Sequence, residues 1–123
     1  MNLIGIGVDK LDKSLAMIES LLPRGRAWIK SPGLEIYVRV TERMVGDARV
    51  QTLEIASVNA SKRGKGTFST WLIGFEALAD KLNRAVYVEN VLTEQFALFW
   101  QNRPNYIQLA GESPSFYRPP KEF

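Results

Sequence analysis

The chain has 123 residues, 46% hydrophobic and 24% charged, the proportions of a soluble globular protein with room for one core. Sixteen Lys and Arg against thirteen Asp and Glu leave a net charge of +3, which suits an anionic partner but falls short of a dedicated nucleic-acid surface. With no Cys and no His, disulfides, thiolate nucleophiles, Cys-based zinc sites and a Ser-His-Asp triad are excluded. Acid–base work falls to Asp, Glu, Tyr, Lys, a backbone group or water, and no metal centre is expected.

Asp9, Lys10, Asp12 and Lys13 interrupt the N-terminus before the apolar core of a signal peptide can form. Apolar runs such as Phe96 to Trp100 are too short to span a bilayer, so a cytoplasmic protein without membrane contact is expected. Leu11, Leu15, Ile18 and Leu22 recur at helical spacing, with Asp9 as N-cap and Pro23 and Gly25 as the stop. Residues 23–33 carry two prolines and two glycines and read as a loop, with a short extended piece at Ala27 to Lys30.

Leu34, Ile36, Val38 and Val40 alternate with Glu35, Tyr37, Arg39 and Thr41, the pattern of a half-buried strand. Gly46-Asp47 supplies a turn, and Val50 to Val58 returns as the second strand of an antiparallel hairpin with a slightly long loop. After Gly66 the period becomes helical, with Phe68, Leu72, Phe75, Ala79 and Leu82 on one face. Ala85 to Val91 reads as a short strand. Thr93 caps a last helix that runs to about Arg103 and ends at Pro104. The tail from Gly111, with Pro114, Pro119 and Pro120, is expected to lie extended against the body. The order α-β-β-α-β-α predicts one α/β or α+β layer structure, helices covering a mixed sheet.

The segment that carries chemistry is Arg63-Gly64-Lys65-Gly66, between a strand end and a helix start. Unpaired N–H groups and the helix dipole make that junction attractive to phosphate, and the glycines allow close backbone approach. A basic Gly-x-Gly turn also occurs simply to satisfy local geometry. A Walker A motif does not fit, because it needs Gly at 59 and Ser or Thr at 66, where this chain has Asn59 and Gly66.

The turn, with Val58 before it and a long amphipathic helix after it, resembles motif A of the GNAT superfamily of N-acetyltransferases. That motif runs Gln or Arg, two variable residues, Gly, one variable residue, then Gly or Ala. Arg63 and Gly66 match, and Phe68 departs from the last position. The likeness extends through the hairpin from Leu34, the strand Val86 to Val91 with its Asn90, and the helix to Tyr106, about residues 34–106.

The resemblance implies a single GNAT-like domain over 1–123, its mixed, mostly antiparallel sheet splayed at the central strands and flanked by helices on both faces, with 107–123 as an extended tail. It further implies acetyl-CoA as cofactor. Pantetheine would pair with the backbone of Ala56, Ser57 and Val58, and the pyrophosphate would lie on the amides of Arg63, Gly64, Lys65, Gly66, Thr67 and Phe68. Asn90 is either a pantetheine contact or a turn former. Phe68 is expected to point inward as the first rung of its helix's apolar face.

Among acid–base candidates Glu54 comes first as base, expected to share a face with Thr52, Ala56 and Val58; Glu35 and Glu89 are alternatives, and each also reads as a solvated strand charge. Where the family has Phe-Tyr in the last helix, this chain has Phe99-Trp100, so the leaving-group acid passes to Tyr106 or Tyr117. The closing hairpin of larger members is expected to be short or missing, and the brevity resembles members carried by phages. Two functions follow from the resemblance. One is acetyl transfer to an amine on a protein or small molecule. The other is a catalytically weak or inactive binding protein that acts through a host or partner protein, with CoA bound structurally or lost. A protein partner or a homodimer is allowed in either case. RNA is permitted by the charge but not favoured.

Overall fold

In the computed structural model, residues 8–31, 33–60, 67–89, 91, 93–110 and 113–121 are described. The elements in chain order are α1 (Val8–Ser20), β1 (Gly25–Ser31), β2 (Leu34–Val45), β3 (Ala48–Ala60), α2 (Thr67–Lys81), β4 (Ala85–Val88), α3 (Glu94–Asn102), β5 (Ile107–Leu109) and β6 (Ser115–Arg118). The strands form one six-stranded sheet in the order β1-β2-β3-β4-β6-β5. Among the described residues only β3 and β4 are parallel, with α2 as the crossover between them, and every other pair is antiparallel.

Several boundaries differ from the sequence pattern. The extended piece inside the 23–33 segment is a full edge strand, β1, paired with β2 from Gly25 opposite Val40 to Ser31 opposite Leu34. Backbone pairing there outweighs the local Pro and Gly signals. The β2–β3 loop is the two residues Gly46-Asp47, shorter than expected, because Val45 already pairs with Ala48. Gly46 takes φ +61°, which primed two-residue turns require at their first position. Asp9 lies inside α1, whose helical run begins at Val8. The expected tail contains β5 and β6, a short hairpin whose second strand inserts between β4 and β5.

Other signals act where the sequence put them. Thr93 has extended backbone and its Oγ accepts from the Phe96 N–H at 3.3 Å, an N-cap. At the end of α2, a stop that the sequence pattern did not single out, Asn83 takes φ 55° and the Arg84 N–H returns to the Ala79 carbonyl at 2.8 Å.

Residue alternation divides the sheet into two unlike faces. Ile29 from β1, Ile36, Val38 and Val40 from β2, Leu53 and Ile55 from β3, and Val86 and Val88 from β4 line one face and form the core with Ile18, Trp71, Leu72 and Phe75 of the helices. All three described helices meet this face. Trp71 donates to Ser14 Oγ at 2.9 Å between α2 and α1, and Arg103 donates to Glu76 at 2.8 and 2.6 Å between α3 and α2. Helices on both faces were expected; among the described residues the other face is bare sheet, its rungs carrying mainly charged, hydroxyl and aromatic side chains.

Arg118 on β6 forks onto Asp80 of α2 at 2.9 and 3.1 Å, and the Lys121 N–H adds a third bond at 2.8 Å. These bonds hold the Asp80 carboxyl below its ordinary range, the Arg118 fork first. The unfolded Asp titrates near about 3.9. A folded value lower than that means the stabilisation is complete above the unfolded pKa and disappears as pH falls through the folded one. The urea midpoint of Asp80→Asn should therefore lie below wild type at neutral pH, and the difference should shrink below about pH 4. A difference unchanged between neutral and acid pH would contradict the pairing.

Candidate functional site

Pairing between β3 and β4 runs from Thr52 opposite Ala85 to Ile55 opposite Val88, closed by a bond from the Glu89 N–H to the Ile55 carbonyl at 3.1 Å. Beyond it β3 continues to Ala60 along β2 while β4 has ended. At the same level the β2–β3 register shifts: Val38 faces Ile55 but Tyr37 faces Ser57, leaving Ala56 as a bulge. A bulge bends its strand and increases local twist, which here coincides with the parting of β3 from β4. The result is a gap beyond Ile55 with β3 backbone on one side.

The bulge also resets which way side chains point. Glu54 pairs with Arg39 and Ser57 with Tyr37, so Thr52, Glu54 and Ser57 share the open face. Val58, opposite Ile36, turns to the core face, where it packs with the buried cluster. The expected grouping of Glu54 with Val58 is thereby corrected: one extra residue inverts the alternation beyond it.

Glu54 is completely buried and both of its oxygens are occupied. Arg43 donates from Nε to Oε2 at 2.8 Å and from Nη2 to Oε1 at 2.9 Å. Arg39 Nη2 approaches Oε1 at 3.1 Å, and Thr52 Oγ1 donates to Oε2 at 3.0 Å. Arg39 also donates to Glu89, whose other oxygen lies 3.5 Å from Arg43 Nη2. The Arg43 guanidinium sits 4.1 Å from the Tyr87 ring centroid. Its pKa is raised above the ordinary arginine value, chiefly by the bonds to Glu54. Two guanidiniums and two carboxylates thus compensate each other beside the gap; Glu54 is the buried member, while Arg39, Arg43 and Glu89 are all partly exposed.

Tyr106 lies elsewhere. Its hydroxyl donates to Glu76 Oε2 at 2.8 Å, on the helical side of the sheet, and its ring centroid is 4.9 Å from that of Trp100. Burial first, then the Glu76 carboxylate, pushes its phenol far above the usual range, so it stays protonated. Glu54 and Tyr106 are therefore not brought together. Phe68 turns inward, with ring centroids 5.7 Å from Phe96, 5.7 Å from Phe99 and 5.9 Å from Trp100. Trp100 is fully enclosed, its indole N–H without a partner. Tyr117 stands on the open face opposite Tyr87, and Glu35 opposite Lys30 at the β1 edge. Arg63, Gly64, Lys65, Gly66 and Asn90 lie outside the described residues, as does the side chain of Thr67.

Sequence reasoning missed Arg39, Arg43 and Thr52 as partners of Glu54. The signal was present, because counting outward from a two-residue Gly46-Asp47 turn places Arg39 opposite Glu54.

The architecture can be set beside solved structures. A mutant of the AtaT toxin bound to the C-terminus of the antitoxin AtaR and acetyl-CoA superposes with a TM-score of 0.59 at 13% identity, over 96% of this chain and 85% of that one. A Corynebacterium glutamicum protein described as histone acetyltransferase HPA2 and related acetyltransferase gives a TM-score of 0.56 at 14% identity, over 98% and 81%. This chain has the GNAT fold. No protein-family model and no curated protein matches the sequence. In the GNAT fold of this chain, the gap between β3 and β4 and the start of α2 are the parts that the sequence resemblance associates with the cofactor.

Glu54→Gln removes the charge that both arginines share at a buried position. It should lower stability by about 3 kcal/mol in urea unfolding, as expected when one member of a buried ionic cluster is neutralised. A loss of less than about 1 kcal/mol would show that the cluster is not coupled in this way.

Proposed function

We propose that the chain is an N-acetyltransferase of the GNAT superfamily that binds acetyl-CoA between β3 and β4 and acetylates an amine. The observation that carries the reading is the end of parallel pairing at Ile55 beside the Ala56 bulge. It leaves β3 backbone facing a gap into which an extended, amide-bearing chain can be paired. The inward turn of Phe68 adds to the fit, because the residue that departs from the motif keeps its ring in the aromatic cluster and off the cofactor side.

In this reading the backbone of Ala56, Ser57 and Val58 holds the pantetheine amides, with Asn90 as a further contact. The amides of Arg63, Gly64, Lys65, Gly66, Thr67 and Phe68 hold the pyrophosphate at the α2 N-terminus. Bound acetyl-CoA supplies an activated acyl group whose leaving group is a thiolate.

Glu54 is assigned a positioning role: it fixes Arg39 and Arg43, and these fix Glu89 at the mouth of the gap. Glu89 orients the acceptor amine, whose proton leaves through water. Tyr106, committed to Glu76, anchors α3, so no side chain is assigned as acid to the departing sulfur.

One observation favours a second reading. Trp100 replaces the usual phenol and is sealed in the core, which suits a chain that binds CoA and a protein partner with little turnover. The AtaT structure, which contains a piece of its antitoxin, is a precedent for a protein partner on this fold.

Calorimetry with acetyl-CoA tests the shared step. Wild type should bind, and Gly66→Glu should bind at least tenfold more weakly because its carboxylate meets the pyrophosphate. Absence of binding by wild type at millimolar ligand would overturn both readings. Release of CoA in the presence of an amine panel then separates them, since only the first reading expects turnover above the hydrolysis background.

A further inference from the structure

β1 has an alternation that its Pro and Gly flanks hide in the sequence. Arg26, Trp28 and Lys30 fall on the open face of this edge strand, opposite Arg39, Tyr37 and Glu35 respectively. Arg24 stands just ahead of them and, with Arg26, lines an open hollow of about 440 Å3 together with Arg39, Arg43, Glu42 and Glu54.

Two features there lack an explanation inside the fold. Arg26 and Arg39 are directly opposite, an arrangement that repels across a ladder. Glu54 and Glu89 compensate Arg39, but among the described residues no carboxylate pairs with Arg26, and Arg39 Nε is buried without an acceptor. The neighbouring rung is aromatic: Trp28 and Tyr37 have ring centroids 5.1 Å apart, yet Trp28 remains 44% exposed. Charges on an edge strand are accounted for by protection against aggregation. An open indole between cations is not, since it adds apolar surface to the same edge.

Within β1 the pattern is cation, aromatic, cation at every second residue, successive members about 6.6 Å apart along the strand, with Arg24 just before it. Arg24 and Lys30 reach Glu42 and Glu35 at 3.1 and 3.8 Å, exposed pairs of the kind that contribute little and that a phosphate can displace, whereas Arg26 has no such partner among the described residues. A nucleotide chain has the complementary composition, with phosphates for the cations and a base face for the indole. A duplex offers no unstacked base to Trp28, and an acidic peptide would use the cations while leaving the indole open.

We propose that the β1–β2 part of the open face binds a single-stranded nucleic-acid segment, with phosphates on Arg24, Arg26 and Lys30 and a base stacked on Trp28 beside Tyr37. The inference does not rest on the cofactor reading, since Arg24, Arg26, Trp28 and Lys30 are not among the residues assigned to acetyl-CoA, although Tyr37 pairs with Ser57 and the hollow shares Arg39 and Arg43 with the neighbouring cluster.

Fluorescence anisotropy with a short labelled single-stranded RNA of mixed sequence tests it. Wild type should bind at low salt, with log K falling against log salt at a slope of about −2 for three phosphate contacts. Trp28→Ala should weaken binding about tenfold, and Trp28→Phe should retain most of it. Arg26→Gln should flatten the slope by about 0.7. The same RNA in duplex form should bind more weakly, and circular dichroism melts of the variants should match wild type. No binding at low salt, binding indifferent to both positions, or equal binding of duplex would overturn the proposal. So would competition by a poly-aspartate peptide that depends on Arg26 and not on Trp28.

Discussion

Ala56 is one residue more than the ladder between β2 and β3 can pair, and the neighbouring architecture follows from where that surplus falls. A bulge bends one strand without lengthening its partner, so its consequences spread to the strand on the far side. Here the far side is β4, and parallel pairing stops at Ile55, level with the bulge. A regular strand at this position would continue the ladder toward residue 60 and close the gap. The same extra residue sends Val58 to the core and keeps Ser57 with Glu54 on the open face, so the gap is lined by backbone and small polar groups.

A sheet that parts in its middle needs ties elsewhere. Arg84, buried at the start of β4, donates to the carbonyls of Thr41 at 3.0 Å, Thr52 at 3.1 Å and Pro23 at 3.2 Å, joining β2, β3 and the end of the α1–β1 turn. Desolvation lowers its pKa, as burial of a guanidinium among carbonyls requires. On the open face Glu54 does the equivalent work through Arg39 and Arg43, and on the helical face Asp80 and Glu76 clamp β6 and α3. Each tie is a fork or a set of several bonds onto a largely buried group, the geometry in which ionic contacts hold position most firmly. The aromatic cluster around Trp100 fills the remaining space between α2, α3 and β6.

Periodicity made much of this legible. The alternation of Leu34 to Val40, the helical face from Phe68 to Leu82 and the Thr93 cap are local signals, and the structure follows them. The features that escaped depend on pairing between segments. β1 is a strand because β2 offers it an edge, although Pro23 and Gly25 at its start and Pro32 and Gly33 beyond its end suggest a loop. The hairpin of β5 and β6 has too few residues to show a period, and its place between β4 and the edge is set by the open side of β4. The bulge is invisible in composition, because Ala56 is an ordinary strand residue and only the register reveals it. Glu54 was legible as important but not for its role, which is decided by two arginines from the neighbouring strand.

The central claim, that the parting of β3 and β4 is the cofactor cleft, is tested most directly by amide hydrogen exchange with and without acetyl-CoA. Exchange should slow at Ala56, Ser57 and Val58 and across the first turn of α2 from Thr67, while β1 and the β5–β6 hairpin change little. Bound acetyl-CoA that leaves those amides as fast as before, or that protects only the outer strands, would contradict the account.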